Sequence, residues 1–187
     1  ITEVEERPVK DSAEQAGAKE VRLIHEPMAA AIGIGIDVLE PMGNMIVDIG
    51  GGTSEIAVIA LGGIVNNKSI RTAGDDFTSE IVEYMRKQHN MYIGERTAEM
   101  IKIEVGSALT ELDNPPDEYA VHGRDLLTGI PKEIKVNYSE IAYCLDKSIS
   151  KIETAVLNAL EQTPPELAAD IYRTGIYLTG GGALLRG

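Results

Sequence analysis

With 187 residues the chain can bury a hydrophobic core and suits one domain or two small ones. Its 30 acidic against 17 basic residues leave a net charge of −13, which argues against a nucleic-acid face or an anionic membrane surface as the main partner. The single cysteine, Cys144, excludes an internal disulfide framework and fits a reducing compartment. No Cys/His spacing resembles a metal site, no apolar run approaches the ~20 residues of a membrane span, and no signal-peptide pattern opens the chain.

Residues Thr2 to Ala18 are charged with scattered alanines and end at Gly17, which predicts a helix with a glycine C-cap. Val21 to His25 predicts a brief strand. Next comes Glu26-Pro27-Met28-Ala29-Ala30-Ala31-Ile32-Gly33, where proline at the first helical position and three alanines predict a closely packed helix. Glu26 thus stands where a strand hands over to a helix N-terminus. That place suits a catalytic group. Judged locally, a carboxylate that only complements the helix dipole accounts for it better. Asp37 to Gly43, with Pro41 and Gly43, reads as a linker between two lobes.

The stretch Asn44 to Leu61 carries the strongest signal. A short apolar run, Met45 to Ile49, holds one acid, Asp48. Gly50, Gly51, Gly52 and Thr53 follow, then a β-branched run from Ile56 to Ile59. That is strand, tight glycine turn, strand. Glycines can take left-handed angles and approach a ligand closely, and their successive N–H groups can form a nest for phosphate. An aspartate beside phosphate needs a cation between them, so Asp48 suggests Mg²⁺ held through water. Thr53 could offer its hydroxyl to a phosphate oxygen or to an attacking water. The bland alternative is a plain hairpin.

Gly62-Gly63 and a third strand, Ile64 to Thr72, complete an antiparallel meander. Gly74-Asp75-Asp76 then caps a helix from Phe77 to His89 with Ile81, Val82 and Met85 inward. Gly74 could approach a phosphate or simply turn the chain. A second helix is predicted from Ile93 to Leu109, with Ile101, Val105, Ala108 and Leu109 as its buried stripe. Glu99 and Lys102 share another face, either as a solvated ion pair or as a grip on a ribose hydroxyl. Glu118 to Val136 predicts a small sheet with turns at Gly123 and Gly129, and Arg124 on a solvated face.

Ser139 is the predicted cap of a long helix, Glu140 to Gln162, with Ile141, Leu145, Ile149, Ile152, Val156 and Leu160 as one buried face and Cys144 as a small core residue beside it. Thr163-Pro164-Pro165 stops it and starts a short helix. Gly175 to Thr179 forms a last strand, and Gly180, Gly181, Gly182 and Ala183 turn it into a helix. A glycine turn that feeds a helix N-terminus is another way to hold a nucleotide.

In this order the motifs resemble the second half of the actin-like ATPase superfamily, which includes actins, chaperones of the DnaK class and sugar kinases. The stretches "LIHEPMAAAIGIGIDV", "MIVDIGGGTSEIAVIALGGIV", "IGERTAEMIKIEVGSAL" and "YLTGGGALLRG" look like one family within it, the bacterial actin MreB family of rod-shape-determining proteins. The resemblance covers nearly the whole chain.

It implies an α/β fold: an actin-like (ribonuclease H-like) ATPase lobe whose mixed sheet carries a β-meander and flanking helices, plus a small inserted α+β subdomain. Residues 1–40 would be the tail of the first lobe, 41–74 and 138–187 the second-lobe core, and 75–137 the insert. By resemblance Asp48 organises Mg²⁺, Gly50 to Gly52 surround the β- and γ-phosphates of ATP, and Gly74 adjoins them. Glu26 positions the hydrolytic water with help from Thr53. Glu99 and Lys102 contact ribose and adenine, with Glu104 as a substitute, and Gly180 to Ala183 form the adenosine turn.

The implied function is that of an ATP-binding cytoskeletal protein, cytoplasmic and at the inner face of the plasma membrane through its filaments, which directs cell shape and cell-wall elongation. Its expected partners are further copies of itself and a membrane-bound adaptor, with no nucleic acid and no direct membrane contact from this stretch. The parent would be a slow ATPase. The chain itself reads as a fragment without the first phosphate loop, and no turnover is expected of it alone. The alternatives are the nucleotide-binding domain of a DnaK-class chaperone and a small-molecule kinase of the same superfamily.

Overall fold

The computed structural model describes residues 3–187; the helix start expected at Thr2 lies outside the described residues. Helix α1 (Glu3–Gln15) ends as expected at Gly17, which is left-handed at φ +100 and donates its N–H to Glu14 O. Val21 to His25 pairs with no strand among the described residues, so the expected strand is absent. A strand exists only with a ladder partner, and among the described residues none is offered there.

Helix α2 (Glu26–Gly33) follows, then the meander β1 (Asn44–Ile49), β2 (Ser54–Ala60) and β3 (Gly63–Ile70). The chain continues through α3 (Gly74–His89), β4 (Met91–Tyr92), α4 (Glu95–Val105), β5 (Tyr119–Asp125), β6 (Pro131–Val136), α5 (Tyr138–Glu161), α6 (Pro165–Thr174) and β7 (Ile176–Thr179), and closes with a 3₁₀ turn, Gly181–Leu184. The main sheet has the order β3-β2-β1-β7. Its first three strands are antiparallel, and β7 runs parallel to β1.

Central β1 is buried on both faces. Met45 and Val47, with Ile56 and Val58 of β2, meet Phe77, Ile81 and Met85 of α3 and Leu145 and Ile152 of α5. On the opposite face Ile46, Ala57 and Ile59 pack against Ala31 of α2. A strand covered on two sides cannot show polar–apolar alternation, which explains the unbroken run Met45-Ile46-Val47. The alanines of α2 serve close packing here, as their small size predicts.

A second sheet, β4-β5-β6, is antiparallel and packs beside α4. Gly123 lies inside β5 instead of in a turn: a Cβ there would sit 2.7 Å from Met91 Cγ and from Tyr92 O, so glycine admits the close approach of β4. Gly129 does turn the chain, at φ +75, and its carbonyl accepts from Arg124 Nε at 3.0 Å.

Three helix details differ from expectation. Helix α4 stops at Val105, because at Gly106 the chain turns extended and Ser107 bridges to Arg186; Leu109 is then 54% exposed instead of buried. The cap of α5 is Asn137, whose Oδ1 accepts the Glu140 amide at 3.0 Å, so Ser139 falls inside the first turn. On α5 the buried face runs through Ile141, Leu145, Ser148, Ile152, Ala155 and Ala159. Ile149, Val156 and Leu160 flank it half-buried, because small residues let the helix sit close to β2 and β3.

Candidate functional site

Strands β1 and β7 run parallel, and a glycine turn follows the C-terminal end of each. In α/β sheets that end is where ligands settle. The turn after β1 is closed by the Gly50 amide on Thr53 O at 2.9 Å. The start of α3 is stitched to it: Gly74 N–H donates to Gly50 O at 3.0 Å and Asp75 N–H to Gly51 O at 2.8 Å. These donors are therefore spent. Among the described residues the amides of Gly51 and Gly52 have no protein acceptor, which leaves two adjacent N–H groups for an anion.

At Gly50 and Gly74 glycine serves close approach and not left-handed angles. None of Gly50, Gly51, Gly52 or Gly74 has a positive φ. A Cβ on Gly74 would sit 3.2 Å from Gly50 O and 3.4 Å from Lys102 Nζ. Gly180 alone in the second triplet is left-handed, at φ +83, and a Cβ there would collide with Ile49 O. The expected helix after it is only the 3₁₀ turn, so it presents no sizeable helix N-terminus.

Between these turns and α4 lies a cleft of about 530 Å³ lined by Gly50, Gly51, Gly74, Asp75, Phe77, Glu99, Lys102, Ile103, Gly181, Gly182, Leu184 and Leu185. Its size suits a small-molecule ligand. Apolar walls from Phe77, Ile103, Leu184 and Leu185 face a polar rim. Sequence reasoning missed these four residues, since an apolar wall looks like any core position, and it read Asp75 only as a helix cap. Of the two acids read together as the cap, Asp76 is the one that accepts the Ala73 amide, at 3.1 Å.

Glu99 and Lys102 form a tight pair at 2.7 Å, and the lysine side chain is only 14% exposed. Lys102 Nζ also donates to Gly74 O and to Thr78 Oγ1, each at 3.0 Å. The Thr78 hydroxyl in turn donates to Glu99 Oε2 at 2.7 Å. Burial opposes ionisation of Glu99, but the bonds from Lys102 and Thr78 outweigh it and hold the carboxyl below its usual range.

The remaining predicted residues lie elsewhere. Asp48 alternates with Ile46 and so belongs to the α2 face of β1; in the ladders it stands opposite Glu55 and Thr179. Glu26 is the exposed first residue of α2, on that same side of the sheet. Thr53 is exposed just before β2. Gly52, Thr53, Gly180, Ala183 and Glu104 are not among the residues that line the cleft. Cys144 is half-buried against the core, and desolvation, with Glu80 and Glu140 nearby, pushes its thiol up to about 12.

The whole chain, residues 1–187, matches a family model described as MreB/Mbl protein. It is 48% identical over 187 residues to the cell shape-determining protein Mbl of Bacillus subtilis (strain 168), covering 100% of this chain and 56% of that protein. It is 52% identical over 188 residues to the cell shape-determining protein MreB of Escherichia coli (strain K12), covering 99% of this chain and 53% of that one. The chain thus spans about half the length of these curated relatives. Among solved structures, MreB5 of Spiroplasma citri bound to AMPPNP superposes with a TM-score of 0.94 at 43% identity, over 100% of this chain and 55% of that chain. The MamK double helical filament, at 20% identity and a TM-score of 0.77, shares the fold.

Proposed function

The chain belongs to the MreB/Mbl family of actin-like cell shape-determining proteins, and from that premise we propose that it is the second-lobe half of an ATP-binding, filament-forming cytoskeletal protein. One observation carries the reading: both glycine turns and the Glu99–Lys102 pair, far apart in sequence, converge on one cleft beyond the ends of parallel β1 and β7. Support comes from the nucleotide named with the Spiroplasma relative and from the actin-like fold itself.

In this reading the free amides of Gly51 and Gly52 face the phosphates, Glu99 accepts from ribose, and the apolar walls take the base. Among the described residues no three or more His, Cys, Asp or Glu side chains cluster as a metal site. Mg²⁺ would therefore depend on Asp48 through water and on the phosphates, which fits an ion that keeps its hydration shell. Bound Mg²⁺ would neutralise phosphate charge. Glu26, at the head of the helix that covers the Ile46 face of β1, would orient the attacking water with Thr53; positioning and charge stabilisation are most of what phosphoryl transfer needs. Residues 41–74 with 138–187 would form the second-lobe core, 75–137 its insert and 1–40 the tail of the first lobe, with α2 at the junction. Self-assembly, a membrane-bound adaptor and a place at the inner face of the plasma membrane complete the proposal. No helix among the described residues is long and apolar enough to cross a membrane.

The relatives' names favour this over a DnaK-class chaperone. The test is light scattering and sedimentation of the full-length protein with Mg-ATP. Concentration-dependent filaments are expected. Phosphate transfer to a small molecule without sedimenting polymer would overturn the reading in favour of a kinase.

A further inference from the structure

Lysine carries three N–H donors and no acceptor. At Lys102 all three are matched by protein: Gly74 O at 3.0 Å, Thr78 Oγ1 at 3.0 Å and Glu99 Oε2 at 2.7 Å. The ammonium is thus fully engaged before any ligand arrives. It could donate to a nucleotide only by giving up one of these partners, in a place where water reaches it poorly.

The hub of this arrangement is Thr78, buried on the first turns of α3. Its oxygen accepts from Lys102, and its one hydrogen has two acceptors in range, Gly74 O at 3.0 Å and the nearer, charged Glu99 Oε2 at 2.7 Å; with the bond to Glu99 made, both neighbours grip the same carboxylate oxygen. Glu99 Oε1 is left without a protein donor among the described residues, on a side chain that is 46% exposed and lines the cleft. From Lys102 the chain of bonds runs on through Gly74 to Gly50, since the peptide that offers its carbonyl to Lys102 belongs to the residue whose amide holds the phosphate-side turn.

We propose that Thr78 is a positioning residue for nucleotide binding: with Lys102 it locks Glu99 Oε2 so that Oε1 is aimed to accept a ribose hydroxyl, and the same lysine ties that contact to the Gly50 turn. Lys102 then acts as a clamp on Glu99. This deepens the proposed function and rests on it. A hydroxyl that only donates to Gly74 O, one turn back in α3, makes no distinction between nucleotides with and without ribose hydroxyls.

The experiment is calorimetric titration of the full-length protein and of Thr78→Val and Thr78→Ser with Mg-ATP and with Mg-2′,3′-dideoxy-ATP. Valine keeps the shape and removes the hydroxyl; serine restores it. Expected is about tenfold weaker ATP binding in Thr78→Val, the scale of one hydrogen bond to a charged group. Little change is expected for the dideoxy nucleotide, with recovery in Thr78→Ser. Unchanged ATP affinity in Thr78→Val, or an equal loss for both nucleotides, overturns the positioning role while leaving nucleotide binding intact. Absence of binding to either nucleotide by the unsubstituted protein overturns the functional reading and this inference with it. A second arm reads the clamp without ligand: Lys102→Met should speed hydrogen exchange at the Gly74 and Asp75 amides, and unchanged exchange removes the link to the Gly50 turn.

Discussion

Asp48 and Thr179 stand opposite one another in the parallel ladder of β1 and β7, and the Thr179 hydroxyl is buried with no hydrogen-bond partner. The acid proposed to hold Mg²⁺ therefore has an unsatisfied hydroxyl on the neighbouring strand. Asp48→Ala should abolish Mg-dependent nucleotide binding in the full-length protein with circular dichroism unchanged. Thr179→Val should leave binding in place and raise stability by about 1 kcal/mol, because it removes a desolvated, unpaired group. Calorimetry and thermal melting separate the two.

The glycines are unequal. Gly180→Ala forces a Cβ into Ile49 O at φ +83, so it should cost several kcal/mol or unfold the end of β7. At Gly52 nothing lies within 4 Å and φ is ordinary, so Gly52→Ala should melt within about 1 kcal/mol of the unsubstituted protein. Equal melting of the two variants would contradict this geometry.

Glu99 has a carboxyl held below its unfolded value by Lys102 and Thr78 against the opposing effect of burial. A lowered folded pKa means stability that is present above the unfolded value and lost as pH falls through the folded one. Glu99→Gln should therefore be less stable than the unsubstituted protein near neutral pH, and the gap should close as acid protonates Glu99. A gap that widens in acid would show the sign to be wrong.

At the start of α5, Asn137→Ala should cost about 1 kcal/mol, whereas Ser139→Ala should cost little, since the Glu140 amide is capped by Asn137. Urea denaturation of both variants decides which residue caps the helix.

Glu26 is exposed at the head of α2 and is not among the residues that line the cleft. Glu26→Ala should spare nucleotide affinity and slow phosphate release by about 10²-fold, the usual scale for losing a group that orients water. Unchanged release would return Glu26 to its role at the helix dipole.

Much of the fold was legible locally. The meander announced itself through β-branched runs separated by glycines, α5 through its apolar spacing, and Gly17 through its place after a charged helix. These are properties of neighbours in sequence: backbone angles, strand and helix period, and the few residues that break them. The two glycine triplets and the Glu99–Lys102 spacing were legible for the same reason.

What the chain order could not supply were contacts between distant segments. Val21 to His25 has a strand's composition but no ladder partner. Gly123 sits where β4 passes, not where the chain turns. Asp75, Phe77, Leu184 and Leu185 became cleft walls only because α3, α4 and the last turn meet at one end of the sheet. Spacing alone left Lys102 as one half of either a solvated pair or a grip on ribose. Only the tertiary packing of α4 against α3 withdrew it from water and matched its three donors, because desolvation and hydrogen-bond satisfaction depend on what surrounds a side chain, not on what precedes it.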